Sequence, residues 1–213
     1  MKLPALSTDF ALNIREYLMQ EPLPLATIHQ QVLQFLSGRQ DLAIFGAQAV
    51  NIYVDVPRMT QEVAVLSTCA EQLSQQLQDH LHSYFHIAVG VREVANGSGY
   101  RVYQVRIPKN RHLVDIRQIH ELPHCEVVDG LQVITPVELI AMKVVSMVAR
   151  PHTPKGLTDE ADVLRLLSAF PELKSFHGPV HQALQRLSAD EKTSMTWQRL
   201  ANQAIEPEQD DDY

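Results

Sequence analysis

Apolar residues recur three and four positions apart in two stretches near the start of the chain. Phe10, Leu12, Ile14, Leu18 and Met19 form one rough apolar face, ended by Pro22 and Pro24. Ile28, Val32, Leu33 and Leu36 form another, ended by Gly38; both spacings predict helices. The pattern then changes. Leu42 to Phe45 is a continuous apolar run between Asp41 and Gly46, which predicts a buried strand with a short helix, Ala47–Tyr53, directly behind it. Glu62–Ser67 is rich in Val and Leu and predicts a second, central strand, and Ala70–His82 predicts a helix. Phe85–Val94 and Tyr100–Ile107 are β-rich runs on either side of Ala95-Asn96-Gly97-Ser98-Gly99, a hairpin signal. Leu113–Ile119 predicts a further strand, and Cys125–Ile134 two short strands turned at Asp129-Gly130.

From there the pattern is helical. Thr135-Pro136-Val137-Glu138 reads as a helix start, with Thr135 as cap, Pro136 at the first helical position and Glu138 completing a capping box. Arg150-Pro151 ends that helix. Thr158 is expected to cap the next, whose apolar face is Val163, Leu164, Leu166 and Leu167 and which Pro171 closes. Val180–Leu187 and Lys192–Ile205 predict two more. The organisation expected is N-terminal helices over 1–38, an α/β core over 39–134, a helical region over 135–205 and a disordered acidic tail over 206–213.

Composition narrows the class only slightly. A chain of 213 residues, 45% hydrophobic and 20% charged, is an ordinary globular composition and not collagen-like, low-complexity or a disulfide-stapled miniprotein. The formal charge is −7, but removing Glu206, Glu208, Asp210, Asp211 and Asp212 leaves −2 for residues 1–205. No global basic field marks nucleic acid as a partner. Asp9, Asn13, Arg15 and Glu16 break every N-terminal apolar stretch, which excludes a signal-peptide core there. Val137–Ala149, the longest apolar region, holds Glu138 and Lys143 and is too short to span a bilayer. The expectation is a cytoplasmic protein without a membrane partner, its two cysteines, Cys69 and Cys125, reduced and partly buried.

Two motifs look chemical without the context they need. His120-Glu121-Leu122-Pro123-His124 matches H-E-x-x-H, but a zinc protease needs that motif on one helix, and Pro123 breaks a helix at a cost of roughly 3 kcal/mol. It is expected to be a loop. His80, His82 and His86 lack a carboxylate or thiol to complete a metal set and are expected at a helix end. The chain has no G-x-S-x-G elbow, Walker loop or G-x-G-x-x-G.

A third constellation carries more. At Ile44-Phe45-Gly46-Ala47 a strand runs into a glycine and a helix N-terminus, which offers free N–H groups to a phosphate. Glu62 lies near the start of the next strand, and Asp115 sits inside the apolar run Leu113–Ile116, where an unpaired charge is costly. Carboxylates on two neighbouring strands suit a magnesium ion beside a triphosphate. This order resembles the nucleotidyltransferase fold, in particular the bacterial abortive-infection (AbiEii-like) toxin nucleotidyltransferases. The pieces are Gly46, Arg58-Met59-Thr60, Asp115, the helix from Pro136 through Leu139 to Lys143, and Lys155 through Asp159, Asp162 and Leu164. The resemblance covers about residues 40–168. It implies an α/β (α+β) mixed sheet flanked by helices, with a helical C-terminal region. It also implies Glu62 and Asp115 as catalytic and Mg²⁺ ligands, and Gly46, Ala47, Arg58, Thr60 and Lys143 as nucleotide-binding residues.

The chain departs from the family pattern at three places. Ala47 replaces the second Gly/Ser of the loop, Glu62 the first metal-binding Asp, and Ala64 the second. Residues 62 and 64 share a strand face, so Ala64 leaves a gap where a ligand belongs. The implied function is binding of a nucleoside triphosphate or another phosphorylated small molecule, with transfer impaired or lost. The alternative is a non-catalytic interaction module, a toxin–antitoxin-like partner or a homodimer. Structural readings stand beside each site residue: Arg58 pairing with Glu62, Asp115 with Arg106 or Arg117, and Lys143 snorkelling to the surface. Arg101, Arg106, Lys109, Arg111 and His112, with Tyr100 and Tyr103, form a local basic cluster, the best candidate in a near-neutral body for phosphate or nucleic-acid contact, with a solvated rim as its structural reading. Nucleic acid is nonetheless not the expected partner.

Overall fold

The computed structural model of the chain describes residues 23–94 and 97–205. The expected helix over Phe10–Met19, Ala95-Asn96 of the hairpin and the tail over 206–213 lie outside the described residues. The elements run α1 (Leu25–Leu36), β1 (Leu42–Phe45), α2 (Gly46–Tyr53), β2 (Val63–Ser67), α3 (Ala70–Phe85), β3 (Val89–Val94), β4 (Gly99–Gln104) and β5 (Arg111–Gln118). They continue with β6 (Cys125–Val128), β7 (Leu131–Ile134), α4 (Pro136–Ala149), α5 (Pro154–Ala169), a 3₁₀ turn at Pro171–Lys174, α6 (Pro179–Arg186) and α7 (Glu191–Asn202). The strands form one mixed sheet of order β3-β4-β5-β2-β1-β7-β6. β1 pairs β7 and β2 pairs β5 in parallel, while β3–β4 and β4–β5 are antiparallel.

Contacts divide the described chain into two units that interleave in sequence. The first takes residues 23–43, 60–122 and 129–132, and the second 44–59, 123–128 and 133–205. In the first, α3 packs on β2 to β5. Its Leu73, Leu77, Leu81 and Phe85 are buried four apart, as are Ile28, Val32 and Leu36 of α1. Val63, Val65, Val102, Val114 and Ile116, alternate residues of three strands, are also buried. Each such side chain taken from water contributes about 1.5–3 kcal/mol. α3 runs three residues beyond the expected His82 and ends on His86 in the left-handed conformation (φ 54°), so β3 starts at Val89 rather than Phe85.

In the second unit α4 is the hub, packed against α2, α5, α6 and α7. Trp197 of α7 is fully buried, and its indole N–H donates to the Phe176 carbonyl at 3.3 Å. Pro136 begins α4 as expected, but the capping box does not form. Thr135 makes no side-chain cap, and the Glu138 carboxylate instead accepts from His124 (2.9 Å) and Arg186 (2.6 Å). The next cap is Thr153, whose hydroxyl accepts from the Gly156 N–H at 3.1 Å, not Thr158, whose hydroxyl donates back to the Pro154 carbonyl within the helix. Pro154 at the first helical position explains the earlier start.

Candidate functional site

Two sets of predicted residues take shape, one in each unit. In the first, register decides which side chains share a face. Ala64 of β2 pairs with Asp115 of β5, Asp115 with Arg101 of β4, and Arg101 with Arg92 of β3. Paired residues project from the same side of a sheet, so Arg92, Arg101, Asp115 and Ala64 form one row across four strands. A β-bulge adds a residue to β5, so that Tyr103 pairs with His112 while Val102 pairs with Val114. The extra residue turns His112 to the Asp115 face. His112 Nδ1 lies 3.9 Å from Glu62 Oε2, which carries Glu62, just ahead of β2, to the same side. The reverse face is the buried one, with Val102, Val114 and Ile116.

Asp115 is therefore an accessible acid on a sheet face, not a charge sealed in the core. Its Oδ1 accepts from Arg101 Nε at 3.0 Å, so its partner is neither Arg106 nor Arg117. Thr60 donates its hydroxyl to the Glu62 carbonyl at 2.9 Å, a bond that shapes the entry to β2. Gly90 faces Tyr103 across β3 and β4; a Cβ at Gly90 would lie 2.6 Å from the tyrosine ring, so the ring lies across the glycine.

In the second unit Gly46 opens α2 with φ 71°, a conformation a side chain rarely tolerates, and Ala47 follows it in the first turn. Lys143 does not snorkel. It is 7% exposed, and its ammonium donates to Asp159 Oδ1 (2.8 Å) and Asp162 Oδ2 (2.6 Å). Arg58 pairs not with Glu62 but with Asp162, through a fork of Nε to Oδ1 (2.7 Å) and Nη2 to Oδ2 (2.8 Å). Arg150 holds the other oxygen of Asp159 at 2.8 Å. Asn51 of α2 fixes Arg58 from behind, its amide donating to the Arg58 carbonyl and its oxygen accepting the Arg58 N–H. Burial by itself pushes the Asp162 carboxyl up, but Arg58 and Lys143 outweigh it and hold the group below its ordinary value. The bond to Asp162 in turn raises Arg58. With Arg165 Nη1 3.8 Å from Asp162 Oδ1, four cations meet two carboxylates in one partly buried cluster.

Among solved structures the chain is similar to the Megavirus polyadenylate synthase, with a TM-score of 0.54 and 14% identity over 80% of this chain and 39% of that one. The chain has a nucleotidyltransferase-like fold. It thus spans well under half the length of the viral enzyme. It is also similar to an antigenic nucleotidyltransferase-like protein from Paracoccidioides brasiliensis (TM-score 0.45, 19% identity, 81% and 91% of the two chains). A third likeness is to JHP933 from Helicobacter pylori (TM-score 0.48, 12% identity, 83% and 88%). No protein-family model and no curated protein matches the chain.

Within this nucleotidyltransferase-like fold the donor set sets a limit on metal binding. Mg²⁺ at a nucleotide needs one or two carboxylates and completes its shell with phosphate oxygens and water. Glu62 and Asp115 meet that minimum for one ion. Ala64, the register neighbour of Asp115, offers no oxygen for another, and Arg101 already engages Asp115. No group of three metal-binding side chains exists among the described residues. The H-E-x-x-H stretch is a loop between β5 and β6, and its His124 is committed to Glu138. Cys69 and Cys125 are free, half-buried thiols.

Sequence reasoning placed Arg101 only in a basic cluster suited to phosphate contact and assigned no site role to Arg92, Arg150, Asp159 or Asp162. Asp159 and Asp162 stood in the motif that carried the resemblance, three residues apart on one helix face. The Arg101–Asp115 pair had no such signal, because only strand register brings it together.

Proposed function

We propose that the chain binds a nucleoside triphosphate or another phosphorylated small molecule and that its capacity for nucleotidyl transfer is impaired or lost. The observation that carries this reading is the row Arg92–Arg101–Asp115–Ala64. It combines the acid such a fold uses with an alanine where another acid is needed and an arginine already paired to the remaining one. Glu62 and Asp115 are the ligands assigned to a single Mg²⁺, which when bound would supply neutralisation of phosphate charge. In the second unit, Gly46 and Ala47 would offer backbone N–H groups to phosphate. The excess of positive charge from Arg58, Lys143 and Arg150 over Asp159 and Asp162 favours the same kind of ligand. The Thr60 hydroxyl donates to the Glu62 carbonyl and so shapes the chain entering β2, leaving its oxygen able to accept a further hydrogen bond.

The reading is tested by restoring the missing acid. Wild type is expected to bind nucleotide and transfer little or no label from an α-labelled nucleoside triphosphate into a cell extract, whereas Ala64→Asp gains transfer with matching pyrophosphate release. Rapid transfer by the wild type would overturn the claim of impairment. The second reading, a non-catalytic interaction module, is favoured by the same Ala64, and predicts no nucleotide binding by either protein.

A further inference from the structure

Two arginines are paired on one sheet face, in the row where Ala64 stands in place of a carboxylate. Arg92 and Arg101 are directly paired across β3 and β4. Adjacent strands lie about 4.8 Å apart, and like charges opposite one another on a sheet face are unfavourable. Asp115 offsets one of them, through Arg101 Nε. Arg117, two residues along β5 and paired with Gly99 of β4, adds a third guanidinium to this face. The opposite face of these strands is packed beneath α3, so the arginines project from the other side, where Arg92 is exposed and Arg101 half-buried.

We propose that Arg101, backed by Arg92, is a fixed-charge site for a phosphate group on this face, standing in for the metal ion that the row has no carboxylate at Ala64 to hold. A guanidinium suits the role. It presents five N–H donors in a planar fork that matches a phosphate in two-point contact, and it stays charged at any working pH. The bond to Asp115 fixes the Arg101 side chain through Nε. The proposal rests on the phosphate-ligand reading above and adds a consequence that reading does not have. Part of the binding is independent of divalent cations.

The experiment is isothermal titration of the full chain with inorganic tripolyphosphate and with ATP, each in excess EDTA and in Mg²⁺. Wild type is expected to bind both probes in EDTA. Arg101→Gln and Arg92→Gln are each expected to weaken EDTA-resistant binding about tenfold, the scale of a lost charged hydrogen bond. Arg92→Gln leaves the Arg101–Asp115 pair intact, and a circular-dichroism melt within a few degrees of wild type confirms its fold. Arg101→Lys is expected to recover part of the loss. Loss of all wild-type binding in EDTA with binding retained in Mg²⁺ overturns this proposal and leaves the nucleotide reading standing. Wild-type affinity in a folded Arg92→Gln and Arg101→Gln overturns it too. Tripolyphosphate binding in EDTA without ATP binding in either buffer would instead support the arginine site and sink the nucleotide reading.

Discussion

Asp162 is wholly buried and accepts from Arg58 and Lys143 at once. Removing one partner from such a cluster leaves uncompensated buried charge, so Asp162→Ala is expected to destabilise the chain by about 3–5 kcal/mol, read from urea unfolding. The pH dependence follows in sign. The Asp162 carboxyl is held below its unfolded value, so the folded state binds the proton less readily. Its contribution is complete above the unfolded value near 3.8 and is lost as pH falls through the lower folded value. Asp41, lowered to about 2 chiefly by its bond to Arg39, acts in the same window. Acid unfolding followed by circular dichroism is therefore expected to fall mostly below pH 4 and to start at higher pH in Asp162→Asn. These partners show where sequence reading stops. Arg58, Asp115 and Lys143 were legible as unusual charges, but a charge on the neighbouring strand or a hundred residues away leaves no local mark. The helical spacing of Asp159 and Asp162 did leave one, and was read only as part of a motif.

Elements were the most legible scale. β1 has the predicted bounds, because a four-residue apolar run between Asp41 and Gly46 leaves little choice. β2 and α4 differ at most by a residue from the pattern. Caps were less legible. Glu138 satisfies the capping-box spacing but finds stronger, charged partners in Arg186 and His124, and tertiary charge overrides the local bond. Thr153→Ala removes the cap that does form and is expected to cost about 0.5–2 kcal/mol in thermal or chemical unfolding. The β5 bulge was invisible, since an extra residue shows only against its partner strand. Gly99, paired with Arg117 at the other end of the β4–β5 ladder, gives a check on the pairing. A Cβ there would lie 2.5 Å from the Ile116 carbonyl oxygen, backbone that cannot swing aside. Gly99→Ala is expected to destabilise by roughly 1–3 kcal/mol, more than an alanine at an open strand position. An unchanged melting temperature would contradict the β4–β5 register on which the row depends.

At the scale of the molecule, fold and chemistry were unequally written in the chain. The order of strand, glycine, helix, strand and late acid pointed to a nucleotidyltransferase-like sheet, and the sheet order and the viral polyadenylate synthase comparison agree with it. By their contacts, residues 44–59 and 123–128 group with the helical region, a grouping that depends on long-range packing and leaves no local pattern. Among the described residues no helix is long and apolar enough to cross a membrane. What the proposed ligand would contact depends on side chains that converge only after folding, and the sheet row and the cation-rich cluster are the two features that support the proposal. The most direct test of the account is titration calorimetry of the wild-type chain with nucleoside triphosphates in Mg²⁺. Saturable binding of at least one of them is predicted, and no binding of any by a folded protein would contradict it.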